Sequence, residues 1–268
     1  MKSYLKLFLF SLAAVLLLAA GIFVLRQKTA AAGAPALPVG GGVVSLLPSN
    51  TEILFELGAG GRVIAVSNYC TWPEEVKNIA KIGDSFAADS EAIYRLRPAM
   101  VYLSQTAEAL QMRLAGLGVP YTAVPDALTA ADIYDNIALI AAREGLDAAP
   151  LLKNLPPRGA PKPAVKTRAF IEIDDDLWTT GGQSFVSDLL EYAGIENIFK
   201  DTAAGYFQTS AEAASAARPD IIVSVKHRSG GYLPAGLHGL KVIRLDPDIF
   251  SRPTPRALRA AALLSAQI

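Results

Sequence analysis

From Val43 onward, short unbroken apolar runs alternate with stretches whose apolar residues recur at helical spacing. Val43 to Leu47 predicts a buried strand, Pro48-Ser49-Asn50 a turn, and Thr51 to Leu57 a helix. Ser49 and Glu52 have the spacing of a capping box, and Gly58 supplies the left-handed residue that ends such a helix. Val63 to Ser67 then predicts a second strand, so strand and helix follow in the order of an α/β protein.

The pattern repeats. Glu91-Ala92, Arg97-Pro98 and the run Met100 to Leu103 recur as Glu212-Ala213, Arg218-Pro219 and Ile221 to Val225, with seven residues from glutamate to proline in both. Each copy predicts a short helix with an acid in its first turn, stopped by proline, then a buried strand. Ala115 to Gly118 leads into Tyr121 to Val124, and Ala235 to Gly239 leads into Val242 to Leu245. Both strands run on to an aspartate, Asp126 or Asp246, and a helix. Upstream, Phe185 to Ala193, with Ser184 as N-cap and Gly194 as stop, parallels the helix ending at Gly58. Several units in one order predict a duplicated α/β lobe. Open α/β sheets carry ligand-contacting loops at the carboxyl ends of their strands, so two facing lobes enclose one cleft. The expected organisation is an N-terminal lobe over 43–145, a linker over 146–164 and a C-terminal lobe over 165–268. The helix Ile133 to Glu144 closes the first lobe. The linker's Pro150, Pro156, Pro157, Pro161 and Pro163 forbid a continuous helix.

Ahead of the repeats, Lys2 and Lys6 precede an apolar run from Leu7 to Leu25, closed by Arg26 and Lys28. Residues 1–28 therefore read as an export signal. The run is long for a cleaved signal core and long enough for a membrane-spanning helix, while Ala30 to Gly33 offers a cleavage site. A signal peptide and an uncleaved anchor both remain open. Residues 29–42, rich in Ala, Gly and Pro, read as a flexible tether.

Composition narrows the function classes. Twenty-five basic residues balance 25 acidic ones, which gives no electrostatic footprint for nucleic acid. One cysteine and two histidines, none clustered, argue against a structural or catalytic metal site in the protein itself. No G-x-S-x-G elbow, P-loop or G-x-G-x-x-G follows a strand. An enzyme is therefore disfavoured, and catalytic residues and a resident cofactor are expected to be absent.

Four segments, VVSLLPSNTEILFELGAGGRVIAVSNYCTWPEE, SEAIYRLRPAMVYL, WTTGGQSFVSDLLEYAGIENIFKD and DPDIFSRPTPRALRAA, together resemble the class III periplasmic binding proteins of ABC importers, and most closely the cobalamin-binding members. The resemblance implies two Rossmann-like lobes with a ligand cleft between them, joined by one long rigid helix. Here the connection reads instead as a shortened helix followed by the proline-rich stretch, and the loop after Val225 also reads as abbreviated. The implied partners are a permease and its ATPase, with a small-molecule metal chelate as ligand.

A corrin ring requires aromatic faces and a few polar groups. By the resemblance, Tyr69 matches a ligand-contacting tyrosine and Tyr206 an aromatic on the second lobe. Phe86, Trp178 and Phe250 are expected in loops lining the same cleft. Arg252 is expected to meet a phosphate or amide oxygen, or else to pair locally. Glu91 and Glu212 match the family's two transporter-docking glutamates, one per lobe; each would also favour its helix dipole simply as a first-turn acid. Trp72 reads as loop packing beside Pro73. His227 is either a loop polar group or an axial ligand to a chelated metal. Heme or a ferric siderophore is the alternative ligand, and anionic chelates call for basic groups, of which these loops offer Arg252, Lys226 and Arg228. A membrane-anchored sensor that works without a transporter is the remaining alternative.

Overall fold

The computed structural model describes residues 41–84, 86–165, 167–227 and 235–265. The expected signal or anchor, most of the tether, Arg228 and most of the loop after Val225 lie outside them.

Lobe 1 contains β1 (Val43–Ser45), α1 (Pro48–Glu56), β2 (Val63–Val66), β3 (Ala80–Lys81), α2 (Ser90–Leu96), β4 (Met100–Ser104), α3 (Glu108–Gly116), β5 (Tyr121–Val124) and α4 (Ala130–Glu144). Its five strands are all parallel, in the order β3-β2-β1-β4-β5. A short helix, α5 (Ala149–Lys153), opens the linker. Lobe 2 follows with β6 (Thr167–Glu172), β7 (Trp178–Thr180), α6 (Phe185–Glu191), β8 (Ile195–Asn197), β9 (Tyr206–Gln208), α7 (Ala211–Ala216), β10 (Ile221–Ser224), β11 (Lys241–Arg244), α8 (Pro247–Phe250) and α9 (Pro255–Ser265). Its main sheet, β11-β10-β6-β8, is also fully parallel, and β7 and β9 form a separate antiparallel ribbon.

The duplication read from the sequence is present in the topology. Position for position, β2-β1-β4-β5 of the first sheet corresponds to β8-β6-β10-β11 of the second. It extends to an unusual backbone detail. Arg97 and Arg218, the residues before the two repeat prolines, both adopt φ of 48°. The residue before proline is sterically barred from the ordinary helical region, and here each arginine turns into the left-handed one to end its helix.

Side-chain patterns explain the layers. Buried strands with both faces covered read as near-continuous apolar runs, as β4 and β10 do. The outer faces of the two sheets have their own small cores, around Ile93, Leu110 and Leu114 in lobe 1 and around Phe170, Ala214 and Leu237 in lobe 2. The inner faces share one core. It runs through Ile53 and Leu54 of α1, Ile133, Ile137 and Ile140 of α4, Val186, Leu189 and Leu190 of α6, and Ala257, Leu258 and Ala261 of α9. These helices close a ring, with α1 on α4, α4 on α6, α6 on α9, and α9 back on α1. Since α1 corresponds to α6 and α4 to α9, the two interlobe contacts are pseudo-equivalent.

One expectation needs correction. The first helix begins at Pro48, one turn position before Ser49, because proline loses nothing at a first helical position whose N–H has no partner. Ser49 is therefore inside the helix and no capping box forms. Glu52 does not reach back to the backbone but pairs with arginines of α9 and the turn before it. Gly181 and Gly182 lie in the connection between β7 and α6. A Cβ on Gly182 would sit 1.9 Å from the Lys200 carbonyl oxygen, and one on Gly181 2.1 Å from that of Ala204. Both glycines therefore permit a close approach of backbone to backbone. Ser184 caps α6 as expected, accepting from the Ser187 amide at 3.2 Å.

The proline-rich linker is fastened to both lobes. The Tyr134 hydroxyl donates to the Pro156 carbonyl, and Arg158 forms a two-pronged pair with Asp135, both on α4. Further on, Lys162 reaches Asp188 and Glu191 of α6, each at 2.6 Å, and lies over the Tyr192 ring. Exposed pairs of this kind contribute only about 0–1 kcal/mol each, so the linker is guided by them while the shared apolar core holds the lobes.

A buried polar link inside lobe 1 makes a stability prediction. The Tyr102 hydroxyl donates to Glu144 Oε1 at 2.7 Å, and Arg62 pairs with Oε2 at 2.6 Å, joining β4 to the last turn of α4. Burial first, and then the Glu144 carboxylate, drive the Tyr102 pKa far upward, so the hydroxyl stays a donor. Tyr102→Phe leaves a buried carboxylate oxygen short of a partner and is expected to cost about 1–3 kcal/mol in urea unfolding.

Candidate functional site

The loops at the carboxyl ends of the two sheets converge. After β2, the chain turns through Ser67–Cys70, with the Cys70 amide bonded to the Ser67 carbonyl. This turn presents Tyr69 with 62% of its surface exposed while Cys70 beside it is buried. After β3, Asp84 accepts from the amides of Phe86 and Ala87, and Phe86 is 64% exposed. The Asn68 amide donates to the Gly83 carbonyl at 2.7 Å, tying these two aromatic-bearing loops together.

On lobe 2, the chain leaves the carboxyl end of β6 through Asp174-Asp175-Asp176 and returns at Trp178 on the β7–β9 ribbon. Trp178 stands opposite Gln208, and Thr180 opposite Tyr206. With the two-residue period of a strand, Trp178 and Tyr206 share one face of the ribbon. Both are substantially exposed. Desolvation alone holds the Tyr206 pKa above the ordinary phenol value, so its surroundings shield the hydroxyl even though much of the side chain remains open.

The lobes touch at this same end. The Thr71 hydroxyl donates to Asp248 Oδ2 at 3.1 Å, and Arg252 reaches across to the Thr71 hydroxyl and the Tyr69 carbonyl. The carboxyl-end loop of β2 thus meets the loop and helix that follow β11. Beneath them, Glu52, 2% exposed, accepts from Arg256 Nε at 3.0 Å and Nη2 at 2.8 Å, with Arg252 at 3.6 Å. Burial raises the Glu52 pKa, and the two arginines oppose that rise. Arg259 adds a pair with Glu56, and Arg256 stacks over Trp72 at 4.9 Å from the ring centre. Trp72 thus packs against Arg256.

The second basic group at this end is also committed. Lys226, its side chain 5% exposed, lies 2.8 Å from Glu172 and 2.7 Å from Asp175. Burial disfavours its charge, but hydrogen bonds to Asp175 and Glu172 outweigh that and hold its pKa above the ordinary lysine value.

Four of the aromatic candidates, Tyr69, Phe86, Trp178 and Tyr206, are thus exposed beside the carboxyl ends of their sheets. Phe250 is not among them. It lies in α8 rather than a loop, is only 6% exposed and packs in the shared core, because its helix turns this face inward. Arg252 pairs locally, through Asp248 at 2.6 Å. His227 is 75% exposed on its side chain and stands 3.9 Å from Asp248. Among the described residues no cluster of His, Cys, Asp and Glu is arranged to hold a metal ion. Glu91 and Glu212 are exposed in the first turns of the corresponding helices α2 and α7. Hydrogen bonds from its own amide and from Ser210 hold Glu212 below the usual carboxylate range.

Two concavities lie apart from the aromatic array. One, of about 240 Å³, sits under the linker between Tyr134, Tyr192 and Leu258. The other, of about 350 Å³, lies beside Trp72 and Glu75 on lobe 1.

The sequence reading missed the Thr71, Asp248, Glu52 and Arg256 network. A signal was present in Glu52 and Glu56, one helical turn apart, and Arg252, Arg256 and Arg259 at matching intervals near the chain end. Only the fold shows that they meet.

Two duplicated parallel α/β lobes, joined once and meeting at their carboxyl-end loops, define a two-lobed solute receptor. The chain belongs to the substrate-binding proteins of ABC transporters. Residues 43–149 match the periplasmic binding protein family. Over 252 residues the chain is 30% identical to an uncharacterized ABC transporter substrate-binding lipoprotein of Bacillus subtilis, covering 84% of this chain and 79% of that protein. It is 28% identical over 246 residues to a vitamin B12-binding protein of Yersinia pestis, covering 84% and 85%. In fold it resembles the periplasmic heme-binding protein RhuT of Roseiflexus sp. RS-1, with a TM-score of 0.67, 23% identity, and coverage of 85% and 97%. Substrate-binding proteins of this kind capture small ligands for a permease and its ATPase.

Proposed function

We propose that this protein captures cobalamin or a related corrinoid outside the cytosol and delivers it to an ABC permease. Tyr69, Phe86, Trp178 and Tyr206 are its ligand-facing rings, held by lobes over 43–145 and 165–268. Export by residues 1–28 puts the receptor in the periplasm or on the outer face of the inner membrane. The observation that carries the choice of ligand is the pairing of the basic groups. Arg252 and Lys226, which a carboxylate-bearing chelate would seek, are each bound to acidic side chains of the protein itself. A corrin, flat and edged with neutral amides, asks for exposed rings and polar groups instead.

Heme is the second reading, favoured by the fold shared with a heme-binding protein. A thermal-shift series with cobalamin, cobinamide, hemin and ferric siderophores separates them, because saturation at about 100 times Kd stabilises the folded state by about 2.7 kcal/mol. The largest shift is expected with the corrinoids. A shift with hemin alone would replace the ligand while keeping the receptor.

Glu91 and Glu212 are the proposed docking acids, one per lobe. Charge complementarity of this kind governs orientation and encounter more than affinity. The combined Glu91→Lys and Glu212→Lys replacement is expected to abolish corrinoid uptake by cells and leave the calorimetric affinity for cobalamin unchanged. Loss of cobalamin binding in that variant would contradict the separation of roles.

A further inference from the structure

We infer that Arg252 is a positioning residue, which fixes Tyr69 for the ligand from the opposite lobe and does not itself contact the ligand. The inference rests on the reading of Tyr69 as a ligand contact given above.

The guanidinium is largely enclosed, and both of its terminal nitrogens have partners. Its side chain is 15% exposed. Nη2 donates to Asp248 Oδ1 at 2.6 Å and to the Tyr69 carbonyl at 3.3 Å. Nη1 donates to the Thr71 hydroxyl at 2.9 Å and lies 3.6 Å from Glu52 Oε1. The Thr71 hydroxyl in turn donates to Asp248 Oδ2, so Arg252, Asp248 and Thr71 close a ring that spans both lobes. A ligand oxygen would have to compete with these partners at the terminal nitrogens, and the charge-assisted bond to Asp248 is of the stronger kind.

What the ring holds is the segment that bears Tyr69. Lobe 1 fixes it from below, through the Asn68 amide on the Gly83 carbonyl and Lys81 Nζ on the Cys70 carbonyl at 2.6 Å. Lobe 2 fixes it from across the boundary, through Arg252 on residues 69 and 71. The backbone on either side of the ring is therefore anchored while the ring stays open. A ring ordered before the ligand arrives spares the binding step the cost of ordering it. Anchorage by the second lobe also means that the ring on lobe 1 is set in the frame of the rings on lobe 2.

Calorimetry with cobalamin on Arg252→Gln, Thr71→Val, Tyr69→Ala and the Arg252→Gln/Tyr69→Ala double variant tests this. Arg252→Gln is expected to weaken cobalamin binding about tenfold, the scale of a lost hydrogen bond to a charged group. Arg252→Lys, which keeps the charge without the fork, is expected to restore little of it. In the double variant the loss is expected to be no larger than in Tyr69→Ala alone, since an arginine acting through Tyr69 has nothing left to position. Additive losses would make Arg252 a direct ligand contact and overturn the inference. So would a lower melting temperature with unchanged affinity, which is all that a purely structural arginine produces. If Arg252→Gln fails to fold, Thr71→Val on the exposed turn carries the test, with a smaller loss expected that is again absorbed by Tyr69→Ala, and additivity again overturning. Unchanged affinity in Tyr69→Ala would remove the proposed site, whereas a loss there with none in Arg252→Gln or Thr71→Val would remove only the positioning role.

Discussion

Replacing Tyr69 and Tyr206 together by alanine is expected to lower the affinity for cobalamin by about a hundredfold or more, with almost no change in folding stability. Both rings are more than half exposed, so the folded protein loses little when they go. Exposed substitutions away from caps and networks typically stay within about 0.5 kcal/mol. A bound planar ligand changes that balance, because each aromatic ring presents roughly 150–250 Å² and apolar burial contributes about 25 cal/mol per Å². Even half of that area on each ring amounts to about 4 kcal/mol for the pair, and every 1.4 kcal/mol is a tenfold change in affinity. Calorimetry on the double variant beside its thermal unfolding curve checks both halves. Unchanged cobalamin affinity would remove these rings from the site.

The second large effect is on stability. Glu52→Ala is expected to destabilise the protein by about 3–5 kcal/mol, because it strands the guanidinium of Arg256 beneath the lobe junction. For a chain of this size that is a fall of roughly 10 °C in melting temperature. Removing both partners is a different experiment. Glu52→Met with Arg256→Met is expected to come out near neutral, since a buried pair recovers little beyond the cost of drying its two charges. The raised pKa of Glu52 also has a sign. The folded state holds this proton more tightly than the unfolded chain does, so the contribution is complete below the ordinary glutamate value and is lost as pH rises through the elevated one. Glu52→Gln is expected to remove that part of the pH dependence, measured by urea unfolding as pH rises from the ordinary glutamate value of about 4.3.

Much of the fold was legible because it is written in local patterns. Apolar runs gave the strands, the paired Arg-Pro stops gave the duplication, and Ser184 and Gly194 marked the ends of α6. The candidate aromatics came from the family resemblance, and all but Phe250 stand at an exposed position. Phe250 was expected in a loop, whereas Pro247 opens a one-turn helix that carries the ring inward. The lobe junction was not legible. Glu52 had a plausible local partner in Ser49, and nothing near it in the chain betrays a guanidinium from 204 residues away. Short-range reasoning assigns a carboxylate to its nearest cap, and here the tertiary partner, charged and bidentate, prevails over the cap.

The return of α9 onto α1 has a consequence for how the protein comes into being. The first helix of lobe 1 gains the partner of its buried acid from residues of α9, 204 positions further along the chain. Until these emerge, Glu52 has no guanidinium and the apolar flank of α1 stays bare. Lobe 1 is thereby kept from settling before lobe 2 has been made, so the two lobes of the receptor complete their folding together.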